Sequence, residues 1–134
     1  MPALIDTNIA IHLRDGDSTI IGRYEMLASP PSISILTQIE LEGGVYAVPE
    51  LTAKRRETAD ALLSALQIHD FTASMASVYR DILAVRGYSR RRVTDRMIAA
   101  TAIVHGLTLI TINGDDFRDI PGLDLEIWPN PTPQ

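Results

Sequence analysis

The chain has 134 residues, 46% of them hydrophobic and 22% charged, with a net charge of −5 and no cysteine. Domains of about 100–200 residues bury enough surface to fold without disulfides or a structural metal, so one domain over 1–134 is expected. The composition excludes disorder, collagen and coiled coil, and the lack of cysteine excludes thiol catalysis and cysteine-held zinc.

Met1-Pro2-Ala3-Leu4 has neither a basic segment nor a long apolar run, which speaks against a signal peptide. No stretch approaches the ~20 apolar residues that span a bilayer, so a cytoplasmic protein with no membrane partner is expected. The acidic balance argues against gripping nucleic acid by bulk charge. Lys54 is the only lysine, whereas Arg86, Arg90, Arg91, Arg92 and Arg96 crowd one segment and can hold a polyanion locally.

Pro2 to Ile5 reads as a first strand ending at Asp6, followed by a short helix over Asn8 to Leu13 and the turn Asp15-Gly16-Asp17. A second helix is expected from Thr19 to Ala28, stopped by Pro30-Pro31. Ser32 to Leu36 is a second strand, and Thr37-Gln38-Ile39-Glu40 has the spacing of a capping box opening a helix weakened at Gly43-Gly44. Leu51 to Leu66 carries apolar residues at helical spacing. Gln67 to Phe71 is a weak third strand, and Thr72 caps a helix reaching about Arg86.

After a polar loop over Gly87 to Val93, Thr94 is expected to cap a buried helix from Asp95 to His105. Leu107 to Ile112 has the continuous apolar run of a central parallel strand, Leu123 to Trp128 is an edge strand, and 129–134 is a flexible tail. Strands alternating with helices predict an α/β fold with a central, mainly parallel sheet.

Open parallel sheets bind ligands beyond the carboxyl ends of their strands. Asp6, Thr7 and Asn8 follow the first strand, Glu40 follows the second, and Thr111, Asn113 and Asp116 end the central strand. Asp95 opens the helix leading into it. Carboxylates about 4 Å apart repel by roughly 4 kcal/mol at an effective dielectric near 20, so a cluster calls for a cation or for protons. Oxygen donors without cysteine suit Mg²⁺ or Mn²⁺, and such ions serve phosphodiester hydrolysis.

Each residue also has a structural use: Asp6 as a helix cap, Glu40 in the capping box and Asp95 against a helix dipole. Asp116 suits an ordinary loop, and the arginine run suits a solvated one. What distinguishes the set is its shared position at one sheet edge. No phosphate-binding glycine loop or Gly-x-Ser-x-Gly elbow is present, and the three histidines have no ligand spacing.

These residues carry a resemblance to PIN-domain proteins. Leu4-Ile5-Asp6-Thr7-Asn8 resembles their opening, and Thr37-Gln38-Ile39-Glu40-Leu41 with Gly44 resembles their Thr-x-x-Glu-Leu-x-x-Gly segment. Asp95-Arg96-Met97-Ile98-Ala99-Ala100 resembles the third acidic block, and His105 to Asn113 followed by Asp116-Phe117 the last. Length and spacing are most similar to the VapC-type toxins of toxin–antitoxin pairs.

The resemblance implies a three-layer PIN-like fold and an endoribonuclease dependent on Mg²⁺, or Mn²⁺ in its place. It further implies a homodimer held inactive by a cognate VapB-type antitoxin. Asp6, Asp95 and Glu40 would hold the metal, with Asp116 completing the catalytic acids where Asn113 departs from the acidic pattern. Thr7, Asn8, Thr111 and Asn113 would support them, and Arg90, Arg91, Arg92 and Arg96 would grip RNA. The alternatives are a catalytically inactive PIN-like module binding RNA or protein, and a small-molecule phosphate hydrolase.

Overall fold

The computed structural model describes residues 2–131. Five strands, β1 (Ala3–Ile5), β2 (Ser32–Ser34), β3 (Gln67–His69), β4 (Thr108–Thr111) and β5 (Leu125–Ile127), form one sheet in the order β3-β2-β1-β4-β5. Every pairing is parallel, with Leu4 opposite Ser32 on one side and Leu109 on the other. Six helices cover it: α1 (Thr7–Arg14), α2 (Ser18–Glu25), α3 (Ile35–Ala47), α4 (Thr52–Ala65), α5 (Ala73–Arg86) and α6 (Val93–His105).

The alternation of strand side chains divides the core in two. Leu4 and Leu109 face α5 and α6, where they pack with Ile82, Ile98, Ala99 and Phe117. Ile5 and Ile110 face the other layer, against Ile9 and Ala10 of α1, Ile20 of α2 and Leu41 of α3. With both faces covered, β1 and β4 carry apolar residues at successive positions, as central parallel strands require. From β1 the chain winds outward through β2 to β3, then returns to place β4 on the other side of β1. The carboxyl ends of β1 and β4 are therefore the switch point at which such sheets bind ligands.

Several boundaries differ from the sequence expectation, each for a local reason. The second strand stops at Ser34 rather than Leu36, because the Ser34 hydroxyl caps α3 by accepting from the Leu36 amide. Thr37 and Glu40 therefore lie inside the helix and form no capping box. The same helix runs through Gly43-Gly44 to Ala47. The second helix ends at Glu25, where the amides of Met26 and Leu27 bond three residues back and tighten the last turn.

Thr94 does not cap α6: a 3₁₀ turn over Arg90–Arg92 feeds directly into the helix, leaving Thr94 in its first turn. The third and last strands are shorter than expected, and residues 129–131 have no regular secondary structure. The rest of the expected tail, 132–134, lies outside the described residues.

Candidate active site

Asp6 ends β1 and caps α1, so its side chain is set by both elements. It is 3% exposed. One carboxylate oxygen accepts from the Thr7 amide at 2.8 Å. The other accepts from the Thr111 hydroxyl at 2.8 Å and the Asn8 side-chain amide at 3.1 Å. Asn8 also donates to Thr111 Oγ1, whose oxygen accepts the Asn113 amide. These partners are all neutral. Burial, reinforced by the charges of Asp95 and Glu40 and only partly offset by the Thr111 and Thr7 hydrogen bonds, raises the Asp6 pKa to about 6.

Glu40 reaches the cluster from the second turn of α3. Its Oε1 accepts from the Thr7 hydroxyl at 2.7 Å, and Thr7 Oγ1 lies 2.9 Å from Thr37 Oγ1. Thr37 is completely buried beneath this contact. Its part in the site is one that the capping-box reading concealed. The spacing already carried the signal, since residues three apart on a helix share a face.

Asp95 projects from the first turn of α6 and is half-buried. Burial is the main cause of its pKa rising to about 6, followed by the charges of Asp116 and Glu40, with Arg92 and Arg91 acting the other way. Asp116, in a 3₁₀ turn beyond β4, therefore stands beside Asp95. Its carboxylate and its carbonyl both accept from Arg92 Nη1, at 3.1 and 3.2 Å. Asn113 contributes its backbone to this corner, while its exposed side chain lines a hollow shared with Asp115 and Arg118.

The arginine segment divides by environment. Arg90 and Arg91 are exposed, and Arg92 is tied to Asp116. Arg96 corrects the expectation of an RNA contact: it is 6% exposed and donates to the Gly87 carbonyl at 2.7 Å, joining α6 to the preceding loop from inside. His69 and His105 stack on each other, with ring centroids 4.2 Å apart, and line a hollow that includes none of the site acids.

Among the described residues, no three Asp, Glu or His side chains are grouped closely enough to enclose an ion by themselves. Mg²⁺ does not need such a cage, because it keeps several waters and is commonly held by one or two carboxylates. Asp6 and Asp95 supply hard oxygen donors, and their pKa values are raised chiefly by burial and further by the neighbouring acids. The residues fit a partly hydrated divalent ion held by Asp6 and Asp95, with Glu40 alongside.

Among known proteins, the family model described as PIN domain matches residues 3–123. Ribonuclease VapC2 of Rickettsia felis is 31% identical over 131 residues, covering 93% of this chain and 96% of the relative. A tRNA(fMet)-specific endonuclease VapC of Salmonella typhimurium is 29% identical, with coverage of 93% and 96%. Among solved structures, VapBC2 of Rickettsia felis bound to a DNA fragment from its promoter matches with a TM-score of 0.84 and 29% identity, covering 96% of this chain and 99% of that one.

Proposed function

This chain belongs to the PIN-domain family, within its VapC group, and from that premise we propose that it is a divalent-metal-dependent endoribonuclease acting as the toxin of a toxin–antitoxin pair. The observation that carries this reading is Asp6, buried at the carboxyl end of β1 beside Asp95 and Glu40, with no positive partner of its own among the described residues. A module that only bound RNA or protein would have no use for so costly an arrangement.

When bound, a divalent ion would stabilise the negative charge that develops on the phosphoryl group during attack. Asp6 and Asp95 would hold that ion. Thr111, Asn8 and the Thr7 amide fix the orientation of the Asp6 carboxylate, so little reorganisation is needed as charge develops. Glu40 is exposed, and the Thr7 hydroxyl occupies only its Oε1. Its Oε2 is free to take the proton of the water that attacks phosphorus as the ester P–O bond breaks. Asp116 adds a fourth acid beside Asp95, standing in for the one that Asn113 lacks.

Arg90 and Arg91, exposed just ahead of Asp95, would contact the RNA backbone. The relatives' names make structured RNA such as tRNA the first substrate to test. The solved VapBC assemblies support a VapB-type antitoxin as partner. We further assign the protein a homodimeric state and a cytoplasmic site of action. No helix among the described residues is long and apolar enough to cross a membrane.

The test is incubation of the purified protein with cellular RNA, with and without Mg²⁺ or Mn²⁺, followed by mapping of the new ends. Cleavage at defined positions that disappears with chelator is the expected result. RNA left intact under every metal condition would overturn the nuclease reading.

A further inference from the structure

Gly44 belongs to the segment that resembles the PIN family, yet nothing in the acid cluster accounts for it. Its environment does. A Cβ placed at Gly44 would lie 2.6 Å from Arg14 Nη1, so any larger residue would shift the Arg14 guanidinium from its place on α3. From the other side, Arg55 donates through its Nη1 to the Gly44 carbonyl at 2.8 Å. Two guanidinium groups from α1 and α4 thus converge on one residue of α3.

They border a cavity of about 240 Å³ that also involves Lys54, Thr58 and Asp15. The side chain of Arg14 is 4% exposed. Its Nε and Nη2 donate to the Asp15 carboxylate at 2.9 and 3.3 Å, while Nη1 makes no hydrogen bond among the described residues. No side-chain nitrogen or oxygen that is fully shut off from solvent lacks a partner there, so this Nη1 keeps some contact with solvent, and Arg14 itself lines the cavity. Lys54 and Arg55 have no carboxylate within ion-pair distance among the described residues, whereas the adjacent Arg56 is held by Glu42 and Asp60. Three cations face one carboxylate here, in a protein whose net charge is −5.

The cavity is also well placed. Gly44 lies four residues beyond Glu40, one turn along the same face of α3 and roughly 6 Å away. Arg14 lies eight residues beyond Asp6, roughly 12 Å down α1. The seam between α1 and α3 therefore leads from the acid cluster directly to this group of cations. A planar, immobilised guanidinium with an open N–H is suited to phosphate oxygens.

We propose that the cavity bounded by Arg14, Lys54 and Arg55 is a second phosphate site, holding an RNA backbone phosphate a short distance along the strand from the bond that is cut. This rests on the ribonuclease reading for its ligand but not for its test. The acidic cleft repels RNA. A cationic site one turn from Glu40 would anchor the strand where the cleft does not.

The experiment measures binding of a single-stranded RNA oligonucleotide against salt in chelator, where cleavage plays no part. Lys54→Gln with Arg55→Gln should flatten the slope of log affinity against log salt by about 0.7 for each phosphate no longer neutralised. Arg23→Gln with Arg80→Gln, at exposed positions on α2 and α5, removes the same two charges elsewhere and should leave the slope unchanged. Gly44→Ala should flatten the slope likewise by displacing the guanidinium, and thermal unfolding will show whether each variant is folded.

An unchanged slope in the double variant, or no RNA binding by the wild type, overturns the phosphate site. A double variant that keeps the slope but loses affinity for an acidic antitoxin peptide overturns it in favour of a protein ligand. Wild-type protein that binds RNA with the expected slope difference yet never cuts it would sink the nuclease reading and leave the site standing.

Discussion

Replacing Asp6 by asparagine should make the metal-free protein more stable while abolishing cleavage. The Asp6 carboxyl has a pKa near 6 in the fold against 3.8 when unperturbed, chiefly because it is buried. At about 1.4 kcal/mol per unit, keeping it ionised above pH 6 costs the fold about 3 kcal/mol. Asparagine has nearly the same shape and can still accept the Thr7 amide at the helix cap. Its amide nitrogen would face donors, Thr111 or Asn8, and forfeit about 1 kcal/mol of hydrogen bonding. The balance is a gain of about 2 kcal/mol at pH 7.5, or roughly 6–10 °C in Tm for a chain of this size.

The pH dependence carries the sign. A carboxyl whose pKa is raised on folding leaves stability intact below the unfolded pKa and removes it as pH rises through the folded value. The Asp6→Asn protein should therefore be about 1 kcal/mol less stable than wild type near pH 4, overtake it between about pH 4 and 6, and hold a constant advantage above. The difference between the two proteins cancels the titrations they share and leaves that of Asp6 together with its coupling to Asp95 and Glu40. Thermal unfolding in chelator across this range is the assay, repeated at pH 7.5 with added Mg²⁺, which should stabilise wild type and not the variant. An Asp6→Asn protein less stable than wild type at pH 7.5 without metal, or one still cutting RNA at the wild-type rate, would refute the reasoning.

Three further outcomes are expected. Glu40→Gln keeps the acceptor for Thr7 Oγ1 and leaves the Ser34 cap of α3 untouched, so stability should hold within about 0.5 kcal/mol while cleavage falls by roughly 10²–10⁴; equal rates in both proteins would remove Glu40 from the chemistry. Arg90→Ala with Arg91→Ala should flatten the salt dependence of RNA binding, whereas Arg96→Met should cost about 1–3 kcal/mol of stability by stripping the Gly87 carbonyl of its donor and leave the slope as it was; the reverse pattern would restore Arg96 to the RNA surface. An inhibiting antitoxin should bury the acid cluster and present an arginine or lysine to it, so that raised Mg²⁺ partly restores cleavage; a complex with the cleft open yet no RNA cut would exclude this mode.

Composition and periodicity were enough for the α/β class and for placing five strands along the chain, while their order within the sheet came from the structure. The apolar runs of β1 and β4 mark strands covered on both faces, and the positions beyond such strands are where a parallel sheet gathers its ligands. That rule made Asp6 and Glu40 candidates, and Asp95 was one because it opens the helix leading into β4; the Thr72 cap of α5 and the helical stripe of α4 were legible from spacing. These features depend on interactions that repeat within a few residues, which sequence spacing encodes directly.

Tertiary structure alone decided between chemically equivalent neighbours. Ser34 and Thr37 are both good caps, and of the two only Ser34 stands between β2 and α3, while Thr37 lies within the helix and is buried under Thr7. Four arginines that look alike in sequence became two exposed side chains, one tie to Asp116 and one buried brace, according to how the 3₁₀ turn rotates them about the start of α6. The resemblance marked Gly44, but its use follows from Arg14, thirty residues earlier on a different helix. Which side chain fills which space is set by the packing of helices on the sheet, and helix spacing along one segment carries no record of what the next segment lays against it.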